Sequence, residues 1–237
     1  MDVHAGAGRR LSPAQALALD GHGVVYSRNR EVVDALIDAL QAQGWLPIAP
    51  SEAKSLYLSL QERAFARKIP YEKMLAEFAR GLGLPEPDGI TRLHDLVQEF
   101  SADIVVDPDL PGVLTELRAR GVTVGMLTNS IHPDAVKRQW LEQAGIAHLF
   151  DLIVSSVDER CRKPDPEIFR RFTARVGLPP EATVFVGHDP SEIEGAKAAG
   201  MITVCLRCSC RQADYVVPRF SEVAELPLWP PPVTKEG

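Results

Sequence analysis

The chain has 237 residues, a net charge of −6, and 45% hydrophobic against 24% charged residues. That length can bury a core without disulfides or structural metal, and the charge excludes a generally basic nucleic-acid binder. The 17 glycines and 19 prolines are too few for a low-complexity chain, and no apolar run approaches the ~18 residues that span a bilayer.

Residues 1–10 read as a mobile leader. The apolar stretch 11–19 behind Arg9 and Arg10 is broken by Pro13 and Gln15 and is too short for a signal sequence, so the protein is expected in the cytoplasm. The run from Gln15 to Asp20 stops at an Asp-Gly turn, the pattern of a buried parallel strand. Residues 28–105 then turn helical. Val32, Val33, Leu36, Ile37 and Leu40 recur at three and four residues, and Gly44 ends that helix. Further helices are predicted over 51–68, 71–80 and 91–100, with Ile69-Pro70 breaking the second of the four. Short connections between four helices predict an antiparallel bundle.

Beyond Pro111 helix and strand alternate. Helices are predicted over 112–120, 133–144, 166–176 and 191–199, and strands over 122–127, 152–155, 183–186, 202–206 and 215–217. Strands separated by such helices imply right-handed crossovers in a doubly wound parallel sheet, an α/β, Rossmann-like core. Residues 11–27 and 106–227 make that core, 28–105 are inserted into it, and 228–237 read as a mobile tail. The four cysteines, Cys161, Cys205, Cys208 and Cys210, lack a second pair at zinc-finger spacing and read as reduced thiols.

In an open parallel sheet, ligands bind beyond the carboxyl ends of the strands. Asp20 ends the first strand and Thr128-Asn129-Ser130 the second. Lys163 lies in the loop after the third strand, and Gly187-His188-Asp189-Pro-Ser-Glu192 ends the fourth. A carboxylate, a hydroxyl, an ammonium and an acidic cluster at one edge suit nucleophilic attack on an anionic small molecule.

Those four stretches, in that order, resemble the haloacid dehalogenase superfamily of hydrolases, and the helical insertion resembles its four-helix cap. The resemblance implies Asp20 as the nucleophile that forms a covalent aspartyl intermediate, Thr128 and Asn129 as substrate-binding residues, and Lys163 as the charge that neutralises nucleophile and phosphoryl group. It implies a small phosphorylated substrate, no nucleic acid or membrane, and a monomer or homodimer. Its phosphatases carry Mg²⁺ between the nucleophile, a backbone carbonyl two residues on and a fourth-motif acid. Here those ligands would be Asp20, the His22 carbonyl and Asp189, with His188 or Glu192 as alternatives. The cap implies closure over the pocket, with Lys54, Tyr57, Arg63 and Arg67 as candidates for touching substrate.

The chain departs from the family pattern at two places. His22 stands where the phosphatases have a second Asp, and an imidazole can protonate a leaving group and then activate water. His188 holds the first acidic place of the fourth motif, which weakens Mg²⁺ and leaves Mn²⁺, Zn²⁺ or no metal as alternatives. The dehalogenase branch needs no metal, but it uses a cap arginine for the halide. No arginine lies between Arg30 and Arg63, and Phe169 stands where that branch has tyrosine. A binding or regulatory protein with this fold is the main alternative, with 2-haloacid dehalogenation behind it.

Overall fold

The computed structural model describes residues 13–65 and 68–232. They fall into two units, one running to Ser27 and resuming at Val106, the other spanning Arg28–Val105. In chain order the elements begin with strands β1 (Ala16–Asp20) and β2 (Tyr26–Ser27). Helices α1 (Val32–Ala42), α2 (Pro50–Phe65), α3 (Tyr71–Gly81) and α4 (Asp88–Ala102) follow, then the short strand β3 (Val105–Val106). The rest alternates: α5 (Leu110–Ala119), β4 (Thr123–Thr128), α6 (Asp134–Gln143), β5 (Leu152–Ser155), α7 (Ser156–Glu159), α8 (Pro166–Val176), β6 (Thr183–Gly187), α9 (Pro190–Ala198), β7 (Ile202–Leu206) and β8 (Tyr215–Val217).

Six of these strands form one parallel sheet in the order β5-β4-β1-β6-β7-β8. Every residue of β1, β6 and β7 is buried, as strands covered on both faces require. Ala18, Leu127, Val154, Phe169, Phe172, Phe185 and Ile193 form a core cluster of the first unit. β1 lies at the centre, between β4 and β6, although the 78-residue second unit separates it from β4 in sequence.

Within the second unit, α1 packs on α2 and α4, and α3 packs on the same two helices. The period read in α1 places Val33, Leu36, Ile37 and Leu40 out of solvent. Lys54 pairs with Asp34 at 2.6 Å and Arg63 with Glu77 at 2.6 Å, while Tyr57 is buried edge-on to Phe78. Arg67 and the leader 1–10 lie outside the described residues.

Two expectations are corrected. Leu228 and Trp229, assigned to a mobile tail, are buried, with the Trp229 indole N–H donating to the Val223 carbonyl at 2.7 Å and the Ala14 N–H to the Leu228 carbonyl at 2.7 Å. Their large apolar side chains have a hydrophobic surface to cover, which a lack of periodicity does not reveal. The chain beyond β8 forms a 3₁₀ segment over Phe220–Glu225. Pro227 holds Leu226 extended and leaves too little chain for an α-helix. Cys205 and Cys208 are joined as a disulfide, not reduced thiols. β7 ends at Leu206, and the left-handed backbone of Arg207 (φ 57°) turns the chain back, leaving the two Cα atoms 5.6 Å apart. Among the described residues no helix is long and apolar enough to cross a membrane.

One glycine fixes how α9 meets the loop carrying Lys163. A Cβ on Gly195 would lie 2.1 Å from the Pro164 carbonyl oxygen, a backbone atom that cannot swing away. Gly195→Ala is therefore expected to destabilise the protein by about 1–3 kcal/mol in urea unfolding, despite alanine's better helix propensity. Gly112→Ala, in a helix with open space around it, is expected to be neutral or stabilising by up to ~1 kcal/mol. Equal stability of the two variants would contradict this close packing.

Candidate active site

The register of the sheet assembles the site. Asp20 pairs with Leu127, so Thr128 lies one step further along β4. Leu19 pairs with Val186, so Gly187 and His188 extend beyond the same edge on the other side of β1. Gly21 permits the approach, since a Cβ there would lie 2.7 Å from Thr128 Oγ1. Lys163 enters from the loop between α7 and α8.

Lys163 has no side-chain exposure. Its Nζ donates to Asp20 Oδ1 at 2.5 Å and to Glu192 Oε2 at 2.7 Å, and lies 5.5 Å from the centre of the Phe185 ring. Asn129 clamps the backbone of the same residue. The Asn129 Nδ2 donates to the Lys163 carbonyl at 3.0 Å, and the Lys163 N–H donates to Asn129 Oδ1 at 2.9 Å. The second oxygen of Asp20 also has a partner, His188 Nδ1 at 3.0 Å from Oδ2. Asp20 thus stands between two nitrogen donors, one on each oxygen.

These contacts set the charge states. Burial pushes the Asp20 carboxyl up, but the Lys163 ammonium and the hydrogen bonds from His188 and Lys163 outweigh it, and the net shift is down. Burial acts against the Lys163 ammonium, yet Asp20 and Glu192 raise it above the ordinary lysine value. Burial, with the nearby charges of Asp20 and Asp189, raises Glu192 against the pull of Lys163. The hydrogen bond to Asp20 raises His188 above its ordinary value of 6.5, against its partial burial.

Asp20 and Thr128 end neighbouring strands at one edge of the sheet, Lys163 pairs with Asp20, and Asn129 spends its amide on the Lys163 backbone. His22 is exposed on the loop after β1, with its ring edge-on to Tyr26 at 6.0 Å; the imidazole on Asp20 is that of His188. Asp189 is corrected as a candidate metal ligand. It is exposed, and its Oδ1 accepts from the Ser191 N–H and hydroxyl, both at 2.8 Å, capping α9. The sequence carried this signal, because Asp189-Pro-Ser-Glu192 is an N-cap followed by proline and a glutamate at the third helical position.

The donor set does not fit magnesium, which prefers oxygen ligands in near-octahedral array. The fourth-motif position turned toward Asp20 supplies an imidazole, Asp189 is turned into the helix cap, and Glu192 is bound by Lys163. Among the described residues no three His, Cys, Asp or Glu side chains are grouped to hold a cation.

Residues 14–200 match the family model described as haloacid dehalogenase-like hydrolase. A glyceraldehyde 3-phosphate phosphatase of Methanopyrus kandleri is 30% identical over 203 residues, covering 81% of this chain and 84% of that protein. A phosphoserine phosphatase of Thermus thermophilus is 36% identical over 108 residues, a match that spans 45% of this chain but only 43% of that relative's length. Among solved structures, a 2-haloacid dehalogenase from Pseudomonas syringae pv. Tomato DC3000 superposes with TM-score 0.73 over 90% of this chain and 97% of that one, at 20% identity, a likeness of fold.

The His188–Asp20 contact makes stability pH-dependent. Because the folded-state value of His188 is raised, with Asp20 and Glu192 favouring its charge and Lys163 opposing it, its contribution is complete below 6.5. The contribution is lost as pH rises through the raised value. The gap in melting temperature between the protein and His188→Gln is therefore expected to be wider at about pH 6 than at about pH 9. A gap that widens with pH would contradict the contact.

Proposed function

The chain belongs to the haloacid dehalogenase-like hydrolases, and from that premise we propose that it hydrolyses a small phosphorylated metabolite through an aspartyl-phosphate at Asp20. The observation that carries this reading is the Lys163 ammonium, buried and bonded to the Asp20 carboxylate at 2.5 Å. Both phosphatase relatives act on small phosphorylated compounds by their names, which supports that substrate class.

In this reading Asp20 attacks phosphorus with a lone pair that its nitrogen donors leave open, since each carboxylate oxygen accepts more than one hydrogen bond. An O–P bond forms as the ester P–O bond breaks, and the departing alkoxide takes a proton from His22. Water, giving its proton back to His22, then attacks the phosphoryl group, releasing inorganic phosphate and restoring the carboxylate. Lys163 answers the charge of carboxylate and phosphoryl oxygens, and the Thr128 hydroxyl donates to those oxygens. Asn129 acts through Lys163, as a positioning residue.

Initial rates with phosphoserine, phosphoglycolate, glyceraldehyde 3-phosphate and p-nitrophenyl phosphate test the proposal. Asp20→Asn is expected to lose about 10³-fold or more on whichever ester is turned over, and His22→Ala about 10²-fold or more. Equal rates for wild type and Asp20→Asn on every ester would rule out the mechanism.

A further inference from the structure

The imidazole of His188 faces Asp20, the first of the metal ligands that the resemblance implies. His188 Nδ1 lies 3.0 Å from Asp20 Oδ2, and the other face of the arrangement is the loop that follows β1. A Cβ on Gly23 would lie 2.5 Å from His188 Cε1 and 2.7 Å from Nδ1 and Nε2. The ring therefore packs directly on the backbone of residue 23, next to the His22 carbonyl that was the second implied ligand. Gly23 also has φ +89°, so a side chain there is disfavoured both by backbone conformation and by the ring. The third implied ligand, Asp189, is committed to capping α9. The Lys163 ammonium holds Asp20 Oδ1 and Glu192 Oε2, so both carboxylates already answer one positive charge.

We propose that the His188 imidazole takes the place of the divalent cation, so that Asp20 is oriented by two nitrogen donors and works without metal. This rests on the reading of Asp20 as nucleophile, and His188, touching the reacting carboxylate, is on that reading a catalytic residue. Its Nδ1–H performs one task of a bridging ion, fixing the second carboxylate oxygen. It cannot accept a phosphoryl oxygen as a ligand in the way a metal does, so that load falls on Lys163 and Thr128.

Two readouts test the proposal. The first is binding of Mn²⁺, followed by the loss of its free-ion electron paramagnetic resonance signal, to wild type and His188→Asp. Wild type is expected to bind no stoichiometric Mn²⁺, and His188→Asp, which rebuilds a carboxylate beside Asp20, to bind one equivalent. The second is turnover of p-nitrophenyl phosphate in EDTA and in millimolar Mg²⁺. Wild-type rates are expected to agree within about 2-fold, whereas His188→Asp is expected to lose roughly 10²-fold or more in EDTA and to recover on addition of Mg²⁺. One equivalent of Mn²⁺ bound to wild type, or wild-type turnover abolished by EDTA and restored by Mg²⁺, overturns the proposal. Absence of turnover in every condition would count against the phosphatase reading alone, and Mn²⁺ binding to wild type would still decide the role of His188.

Discussion

A lysine with no exposure to solvent must be answered by negative charge, and the carboxyl edge of the sheet is organised around that demand. Removing an ion from water costs several kcal/mol even after relaxation, and only close, well-aligned partners offset it. Lys163 meets two carboxylates within 2.7 Å and is held at its backbone by both ends of the Asn129 amide. Three segments are thereby tied to one residue, Asp20 from β1 and Glu192 from α9 through the Lys163 ammonium and Asn129 after β4 through the Lys163 backbone, while Gly195 of α9 packs on the neighbouring Pro164. The resulting constraint orients the carboxylate of Asp20. Lys163 draws on Oδ1 and His188 on Oδ2, and the charge of Asp20 is kept in place by contacts that burial alone would oppose.

Much of this was legible in the sequence, for reasons that particular residues make clear. α8 runs over Pro166–Val176 as expected, because Asp165 caps it, Pro166 opens it and Gly177, at φ +75°, closes it. β5, β7 and β8 span the expected residues, since short buried apolar runs between turn residues admit few other structures. Asp20, Thr128 and Lys163 were legible because parallel strands deliver their last residues to one edge, whatever the sequence separation. The missed elements are short: the two-residue strands β2 and β3 and the four-residue α7 are below the length at which a period shows.

The fourth motif was harder to read. Counting from Gly187 gives the order of His188 and Asp189 but not which of them turns inward. The local chemistry decides it, because a carboxylate before a proline-initiated helix gains two hydrogen bonds by capping. The neighbouring imidazole is left to face Asp20. Sequence order likewise could not pair Cys205 with Cys208, since that contact depends on a left-handed residue, Arg207, in the turn between them. Membership in the hydrolase family rests on the family match over residues 14–200 and on a 30% identical phosphatase relative covered over 84% of its length. At the carboxyl edge of this chain's sheet, Asp20 is met by two nitrogen donors, Lys163 Nζ on Oδ1 and His188 Nδ1 on Oδ2.

The account is tested most directly by mapping the covalent intermediate. Protein turning over a phosphate ester is quenched in acid, digested, and the peptides are examined by mass spectrometry. A phosphoryl group on the Asp20 side chain, missing from the Asp20→Asn protein, is the predicted result. A phosphoryl group found on any other residue would contradict the account.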